Sequence, residues 1–470
     1  TNIVDALDHV AGTVADPGVC HLAPGLYGEA NAGGPDASHL VVLAKPVRIV
    51  GEGATPADTV IDGAHARRIA WVKSPGAALE NLTLHRGRDL ASGAVCGFGL
   101  QLDAGTVSNC VVSAGRHDIW GGGTEHVVHQ TGGLLVDTVV CDGVTPGATE
   151  GATVTGSACH LFGSARMVRC AVTNNVLGGA GPLYASGASV TIADTTVAGN
   201  RHVGVNWSSC AGGACLFDGA IMRGGAIAGN RLAAGQINDD KLHWRAAGAL
   251  VAGATLADCV VAGNVCTGEL DQRIIQAGGV TLVSGGSLLN SFVAGNTNAC
   301  TTSVGTIVPV GGVALLASGD RLVNCTVTDN VALRPSSPCG VHAAAGTVLN
   351  AIVAQNGDET RPAPSPAPRR RPSPAPASRA FPSSARATSR PIRASTVPRR
   401  GTTGFPPPRP AGGVARAFLK SPPISTVRRV RRACGSIWAA SAPSRADSAL
   451  FCDNGKAFFC LKGCGHEIRF

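Results

Sequence analysis

The chain has 470 residues, of which 4% are aromatic and 63 are glycine, and its formal net charge is +9. Residues 1–357 contain 18 Lys and Arg against 25 Asp and Glu, a net of −7, whereas residues 358–470 contain 21 against 5, a net of +16. Because the larger part is acidic, composition excludes nucleic acid as the partner of the whole chain. No run of eighteen apolar residues is present, so the sequence predicts no transmembrane segment.

The first predicted elements are a short helix and a set of opening strands. Residues 3–10 have the apolar spacing of a short amphipathic helix. Apolar residues alternate in the segments 45–51 and 59–63, which predicts strands with one buried face. We therefore expect residues 1–76 to form an N-terminal cap and opening coils. The chain opens at Thr1 without a charged and apolar leader, so we expect either that a signal peptide was removed or that none existed.

Residues 77–357 repeat one short phrase: an aliphatic residue, Asn or Asp, a small residue that we call the anchor, and then Val. The phrase is clearest at 107–112, 256–261 and 322–327. The anchors are 25 to 34 residues apart, which predicts about ten coils interrupted by loops of different length. The anchors stand at positions 82, 110, 138, 170, 195, 225, 259, 291, 325 and 351.

Two further positions of the repeat carry a restricted set of residues. The fifth residue after each anchor is always Gly or Asn, and because both tolerate positive φ we expect the chain to turn there in every repeat. The residue before most anchors is Asn or Asp, and we expect these side chains to hydrogen-bond from coil to coil as a ladder. They are Asn81, Asn109, Asp137, Asp194, Asp258, Asn290, Asn324 and Asn350.

Each repeat also has an earlier half in which apolar residues alternate with period two, as in 278–282 and 311–315. Strands of three to five residues, joined by tight corners and stacked at about 4.8 Å per coil, predict a parallel β-helix. Residues 1–357 resemble the right-handed parallel β-helix proteins of the pectin-lyase-like superfamily, most clearly in the opening phrases 19–27, 45–51 and 59–63. The resemblance implies an all-β, single-stranded right-handed solenoid with a short N-terminal capping helix. It leaves the activity open, because this architecture hosts lyases, hydrolases, adhesins and passenger domains.

Thirteen of the 17 cysteines lie in residues 1–357. We interpret the cysteines at anchor positions as small apolar fillers stacked in one column. Cys210 with Cys215, or Cys141 with Cys159, are candidates for disulfides in an oxidising compartment, but the sequence leaves the pairing open. The anchor cysteines are Cys110, Cys170, Cys259 and Cys325.

The repeat stops at residue 357, and residues 358–470 hold 17 of the 28 prolines in a low-complexity sequence rich in Arg, Ala and Ser. We expect most of this tail to be disordered. A natural Pro/Arg-rich linker and a polyanion-binding segment are two explanations, and we favour a third, that the reading frame changes near residue 357. The spacing of the last Cys and His residues differs from that of zinc sites, so we expect an unstructured end. These residues are Cys452, Cys460, Cys464 and His466.

Catalytic motifs are weak in this sequence. The superfamily's hydrolases carry Asn-Thr-Asp, Asp-Asp, Gly-His-Gly and Arg-Ile-Lys motifs, of which only the Asp-Asp pair, Asp239 and Asp240, is present. Two carboxylates serve glycoside hydrolysis as acid and base, so this pair is a weak catalytic candidate, with solvated loop carboxylates as the plainer interpretation. Calcium enters only through the resemblance, because the motifs of the calcium-dependent lyases are absent. The sequence therefore predicts no metal site and no other cofactor.

A candidate binding face follows from the sixth residue after each anchor. Arg occupies this position in two neighbouring pairs of coils, Arg88 with Arg116 and Arg201 with Arg231. Stacking places each pair about 5 Å apart, where like charges repel unless an anion lies between them. Aromatic rings stack on sugars and guanidinium groups pair with carboxylates or sulfates, which predicts an acidic-glycan-binding face. The alternative is that long loops need polar residues and that Trp covers the coil edges. The loops after the Arg positions add His117, Asp118, Trp120, His202, Trp207, His243, Trp244 and Arg245.

Three functional classes remain open from the sequence. The first is a secreted or cell-surface protein that presents a polysaccharide-binding or adhesive face without catalysis. The second is a polysaccharide lyase or glycoside hydrolase with a non-standard site, and the third is a structural passenger or repeat scaffold. We favour the first class, with a polysaccharide or cell-surface glycan as partner and a monomeric chain.

Overall fold

The computed structural model divides the chain into two units, Thr1–Ala363 and Pro364–Phe470. It describes residues 3–28, 39–88, 96–116, 125–144, 156–203, 209–234, 243–270, 274–302, 308–334, 336–357, 448–451 and 457–460. In the second unit the described residues are one antiparallel strand pair, Ser448–Phe451 with Ala457–Cys460. Apart from this strand pair, residues 358–470 lie outside the described part. The predictions of a disordered or frame-shifted tail and of an unstructured end instead of a zinc site concern those residues.

In the described residues of the first unit, the helix Ile3–His9 is followed by short parallel strands that are joined by turns and bends. Sheet 1, with 22 strands, contributes two strands to most coils, and sheet 2, with 11, contributes one. Each strand pairs in parallel with the equivalent strand one coil later, as Val111–Ser113 does with Val139–Cys141. The predicted parallel β-helix is therefore confirmed. In the described residues no helix is long and apolar enough to cross a membrane.

Sheet 1 comprises Gly18–Leu22, Gly25–Tyr27, Val47–Gly51, Thr59–Asp62, Ala78–Glu80, Thr83–His85, Thr106–Ser108, Val111–Ser113, Leu134–Val136, Val139–Cys141, Arg166–Val168, Ala171–Thr173, Thr191–Ala198, Ile221–Ala228, Thr255–Ala257, Val260–Ala262, Ser287–Leu289, Phe292–Ala294, Arg321–Val323, Thr326–Thr328, Thr347–Leu349 and Ile352–Ala354. A 3-10 turn, Pro56–Asp58, precedes one of its strands. Sheet 2 comprises His39–Leu43, Arg68–Val72, Cys96–Leu102, Glu125–Gln130, Cys159–Leu161, Leu183–Ser186, Ala214–Phe217, Ala249–Ala252, Val280–Val283, Val313–Leu315 and Val341–Ala343.

Two smaller sheets enlarge the later coils. Sheet 3 comprises Val176–Leu177, Arg201–His202, Arg231–Ala234, Val265–Leu270, Thr297–Thr302 and Val331–Ala332. Sheet 4 comprises Ser209–Ala211, His243–Ala246, Ile274–Ala277 and Val308–Val310. In chain order, sheet 3 follows the second corner of each coil and sheet 4 leads into sheet 2.

The core is a set of columns in which each apolar residue packs on its equivalent one coil away. One column has a relative exposure of 1% or less at every member, and burying side chains of this size stabilises the fold by about 1.5–3 kcal/mol each. The N-terminal helix covers the first coil with Ile3 and Leu7, which are four residues apart and therefore on one helix face. The column runs through Leu79, Val107, Leu135, Met167, Ile192, Met222, Leu256, Leu288 and Leu322.

The predicted position of the turn is wrong. Positive φ occurs at the residue before the anchor, such as Asn109 at 48°, and at the fourth residue after it, such as Asp142 at 54°. The fifth residue after the anchor does not have positive φ in the described coils. The ladder predicted for the residue before the anchor forms only in segments. Asn109 donates to Asn81 at 2.9 Å and Asn324 to Asn290 at 3.0 Å, whereas Asp137 instead pairs with Arg169.

A second ladder, buried and continuous, explains the Asn at the fifth position. The Nδ2 of Asn200 donates to the Oδ1 of Asn230 at 2.9 Å and to the carbonyl oxygen of Val172 at 2.9 Å, and the same Oδ1 accepts the backbone N–H of Asn200. Earlier coils have Gly there because a Cβ on Gly115 would lie 2.3 Å from the ring of Phe98. The ladder runs through Asn175, Asn200, Asn230, Asn264, Asn296, Asn330 and Asn356.

No disulfide joins the cysteines in the described part of residues 1–357. The four at anchor positions are buried, with relative exposures of 1–3%, as expected of small apolar fillers. Burial raises the pKa of Cys110 to about 12, so this thiol stays protonated and unreactive near neutral pH. The pairs proposed from sequence, Cys141 with Cys159 and Cys210 with Cys215, are not joined.

Candidate functional site

The arginine column predicted from the sequence is present. Arg88 and Arg116 form a parallel bridge, the column continues through Val144 and Val176, and Arg201 then pairs in register with Arg231. Arg116, Arg201 and Arg231 are exposed, whereas Arg88 is half-buried and its Nη1 donates to the carbonyl oxygen of His65 at 3.4 Å. The two stacked pairs therefore lie on one edge of the solenoid, as the repeat register predicted.

Other predicted binding residues are placed where a surface ligand cannot touch them. His202 and Arg245 both have a relative exposure of 0%. Burial, opposed by a hydrogen bond to the carbonyl oxygen of Gly179 and assisted by the charge of nearby Arg245, lowers the pKa of His202 to about 4. Trp244 packs against a buried cluster that includes Leu250. The prediction of one exposed face was wrong for His202 and Arg245, because sheets 3 and 4 fold these two side chains inward, whereas Trp244 is half-buried.

Several candidates cannot be placed. His243 belongs to the strand His243–Ala246, but its side chain lies outside the described part of the structure. The remaining candidates, including both carboxylates of the Asp-Asp pair, also lie outside the described residues. They are His117, Asp118, Trp120, Trp207, Asp239 and Asp240.

The outer face of sheet 2 carries a polar and aromatic row that the sequence did not reveal. Trp71 pairs with Gln101, Gln101 with His129, His129 with His160, and His160 with Tyr184, one residue from each of five successive coils. Their strand neighbours are buried, so these five side chains point outward. We call them the outer row. At about 4.8 Å per strand the outer row is about 19 Å long.

The outer row ends where the surface becomes covered. The next residues in the same column are Cys215 and Leu250, each with a relative exposure of 0%. They belong to the cluster against which Trp244 and Tyr184 pack. Four members of the outer row are half-buried, and the fifth, His129, has an exposure of 6%. A ligand on this face therefore has a defined stretch between Trp71 and Tyr184.

Residues two positions further along the strands hold the outer row in place. The Nε1–H of Trp71 donates to Oδ2 of Asp103 at 2.6 Å, and the hydroxyl of Thr131 donates to Oδ1 of Asp103 at 2.8 Å. The Nζ of Lys73 lies 3.8 Å from the ring centroid of Trp71, a cation–π contact. At the other end, the rings of Phe162 and Tyr184 are 5.7 Å apart. The two ends of the row therefore have aromatic rings in fixed orientations.

Three histidines meet at the centre of the row. The Nδ1 atoms of His129 and His160 are 3.2 Å apart, and the rings of His126 and His160 stack with centroids 3.8 Å apart. The register between the strands Glu125–Gln130 and Cys96–Leu102 shifts between His126 and Val128. Because Val127 and Val128 both belong to the core, this irregularity turns His126 to the same side as His129. One ligand nitrogen from each of the three rings lies within 4.8 Å of the other two.

Burial keeps His129 and His160 neutral near pH 7. It lowers the pKa of His129, and burial together with the neighbouring His129 lowers the pKa of His160 to about 3. A neutral imidazole offers a lone pair to a proton or a metal ion. The centre of the outer row is thus suited to proton transfer or metal binding, and its ends to stacking on a flat ligand.

The sequence contains a signal for the outer row, but a shift of register hides it. Gln101 stands nine residues before its anchor Cys110, whereas Tyr184 stands eleven residues before its anchor Thr195. An alignment on the anchors alone therefore does not bring these residues into one column. Aligning the buried residues of the preceding strands instead would have done so.

No family model and no curated protein match this chain. Among solved structures, it is similar to the A-module of the mannuronan C-5 epimerase AlgE4 of Azotobacter vinelandii, at 14% identity and a TM-score of 0.29, over 75% of this chain and 89% of that one. It is also similar to the A-module of the mannuronan C-5 epimerase AlgE6 of the same organism, at 12% identity and a TM-score of 0.26, over 74% and 92%. At such TM-scores the assignment as a parallel β-helix rests on the strand register of this chain itself.

Proposed function

We propose that this protein binds an acidic polysaccharide along the outer face of sheet 2. The observation that carries the proposal is the outer row, in which five consecutive coils present Trp71, Gln101, His129, His160 and Tyr184 in register. A linear polymer presents repeated rings and hydroxyl groups, and a line of repeated side chains matches it. A secreted or cell-surface location is part of this proposal, because such polymers lie outside the cell.

The ends and the centre of the outer row have complementary roles in this binding. Trp71 and Tyr184 are half-buried, so one part of each ring is fixed by packing and the other part is accessible. Such rings stack on the apolar faces of sugars at low entropic cost. Gln101 and the imidazoles between them supply donors and acceptors for hydroxyl groups. The row therefore combines stacking with directional hydrogen bonds.

Exposed cationic groups on the coils that carry the outer row favour an acidic polymer. Lys73 is exposed and held over the ring of Trp71. Arg116 is exposed at the corner that precedes the strand Glu125–Gln130, and its backbone forms a parallel bridge with Arg88. Guanidinium groups form two parallel hydrogen bonds with a carboxylate or a sulfate. The main part of the chain is acidic, so attraction of a polyanion depends on these local cations.

The proposal is tested by isothermal titration of the full chain with polyuronates and with a neutral glucan. We expect Tyr184→Ala to weaken uronate binding about fivefold, since an aromatic contact contributes about 1 kcal/mol. Tyr27→Ala is the matched control, because Tyr27 is a half-buried tyrosine on sheet 1. Arg116→Gln should weaken binding mainly at low salt, with exposed Arg321→Gln as its control. Equal affinity for the glucan, or equal effects of Tyr184→Ala and Tyr27→Ala, would refute the proposal.

A polysaccharide lyase is the second candidate, favoured by the neutral imidazole pair His129 and His160 beside Tyr184. The ring centroids of His160 and Tyr184 are 4.9 Å apart. Elimination from a uronate needs a base that removes the proton next to the carboxylate and an acid that protonates the leaving oxygen. Release of unsaturated uronate from any polymer in the same panel, lost in His129→Gln, would establish this activity; binding without release would leave the protein a binder.

A further inference from the structure

We infer that His126, His129 and His160 form a binding site for a zinc ion. The three side chains come from two neighbouring strands of sheet 2 and face the same side. Imidazole nitrogen is a preferred zinc ligand, and three protein ligands with an open fourth position are the usual set of a reactive zinc site. This inference is independent of whether the outer row binds a polysaccharide.

The spacing of His129 and His160 already matches two ligands of one zinc ion. With Zn–N distances of 2.0–2.1 Å and tetrahedral angles, two ligand nitrogens lie about 3.3 Å apart. The Nδ1 atoms of His129 and His160 are 3.2 Å apart. In the metal-free pair one Nδ1–H donates to the other Nδ1. With zinc between them both Nδ1 lone pairs would go to the ion, so the donor ring would move its proton from Nδ1 to Nε2 while the acceptor ring keeps its proton on Nε2.

His126 is the third zinc ligand of the site, and it binds zinc only by giving up a hydrogen bond. The backbone N–H of Ser157 donates to its Nδ1 at 3.0 Å, which identifies Nε2 as the nitrogen left for a metal. A neutral imidazole that binds through Nε2 carries its proton on Nδ1, so zinc binding breaks the contact with Ser157. We therefore expect His126 to contribute less to the affinity than the other two ligands.

The surroundings suit a bound cation of limited accessibility. His126 and His129 have relative exposures of 1% and 6%, whereas half-buried His160 leaves one side open to solvent. Phe162 packs edge-on against His160, with ring centroids 4.3 Å apart. Fixed rings lose little freedom on binding, so the site is largely organised in advance.

The test titrates the full chain with zinc chloride and follows binding by calorimetry. We expect His129→Gln and His160→Gln each to weaken zinc binding more than about a hundredfold, beyond the loss caused by removing an outer-shell partner. His126→Gln should lose about tenfold to a hundredfold. His342→Gln is the matched control, because His342 stands at the far end of the same outward column and should bind as the wild type does.

In the zinc titrations, two outcomes would overturn the inference: unchanged zinc binding in both His129→Gln and His160→Gln, or an equal loss in His342→Gln. Cobalt(II) added to the wild-type chain gives a second readout that does not depend on the variants folding. Tetrahedral d–d absorption without thiolate-to-cobalt charge transfer supports a nitrogen-only site. Charge transfer alone would assign the metal to cysteines elsewhere and would contradict the inference, as would the lack of any tetrahedral band.

Discussion

Substitution of Asn264 by Ala tests how much the buried asparagine ladder contributes to stability. The side chain takes part in four hydrogen bonds: Nδ2 donates to the carbonyl oxygen of Ile227 at 2.8 Å and to Oδ1 of Asn296 at 2.9 Å, and Oδ1 accepts the backbone N–H and the Nδ2–H of Asn230, both at 3.0 Å. At about 1 kcal/mol for each buried bond, we expect Asn264→Ala to lower the free energy of unfolding by about 4 kcal/mol.

Asn290→Gly is the control for this prediction. Asn290 belongs to the exposed ladder, where it takes part in two side-chain hydrogen bonds, to Asp258 and from Asn324. Its φ is 49°, which glycine adopts without strain, so we expect a loss below about 1 kcal/mol. Urea unfolding followed by circular dichroism gives both free energies, and hydrogen exchange at the Asn230 amide localises the effect. A cost of Asn264→Ala no larger than that of Asn290→Gly would refute this account of the ladder.

Three further predictions concern acid stability, backbone space and the core. The pKa of His202 falls to about 4 on folding, so between pH 6.5 and 4 the unfolded chain binds a proton that the folded chain does not. We therefore expect the free energy of unfolding to fall by about 3 kcal/mol from pH 6.5 to pH 4. Urea unfolding at several pH values measures this, and the free energy of unfolding of His202→Gln should depend less on pH. Gly225→Ala should lower the free energy of unfolding by about 4 kcal/mol, since its Cβ would lie 2.1 Å from the carbonyl oxygen of Thr195. Gly229 also has positive φ but has open space around its Cβ position, so Gly229→Ala should cost about 1–2 kcal/mol in the same assay. Equal costs of the two substitutions would contradict this prediction. Leu288→Ala should lower the free energy of unfolding by about 3 kcal/mol, whereas Ile352→Ala, at an exposed position, should lower it by less than about 1 kcal/mol. The reverse order would show that the column of Leu288 is not the core.

The fold was predictable because the same residue pattern recurs at the same point of every coil. A small residue followed by Val marks the same strand in every coil, and the strands pair in that register, as Val111 does with Val139. The place of the turn was not predictable from composition alone. Asn at position 264 signals a buried ladder and Asn at position 290 signals a left-handed corner, although the residue type is the same.

The candidate site was predictable only in part. The arginine pairs follow from the repeat, because Arg201 and Arg231 stand at one fixed distance from their anchors. Burial of Arg245 depends on how the later coils widen, which no local pattern records. The meeting of His126 with His160 depends on a strand irregularity and on a loop of variable length, so their proximity appears only once the coils are stacked.

A crystal structure of the full chain with a bound oligouronate tests the central claim most directly. The account predicts sugar rings lying along the outer row, stacked at its ends on Trp71 and Tyr184, with a carboxylate within ion-pair distance of Lys73 or Arg116. An oligosaccharide bound in full occupancy on another face, with the outer row still covered only by solvent, would contradict it.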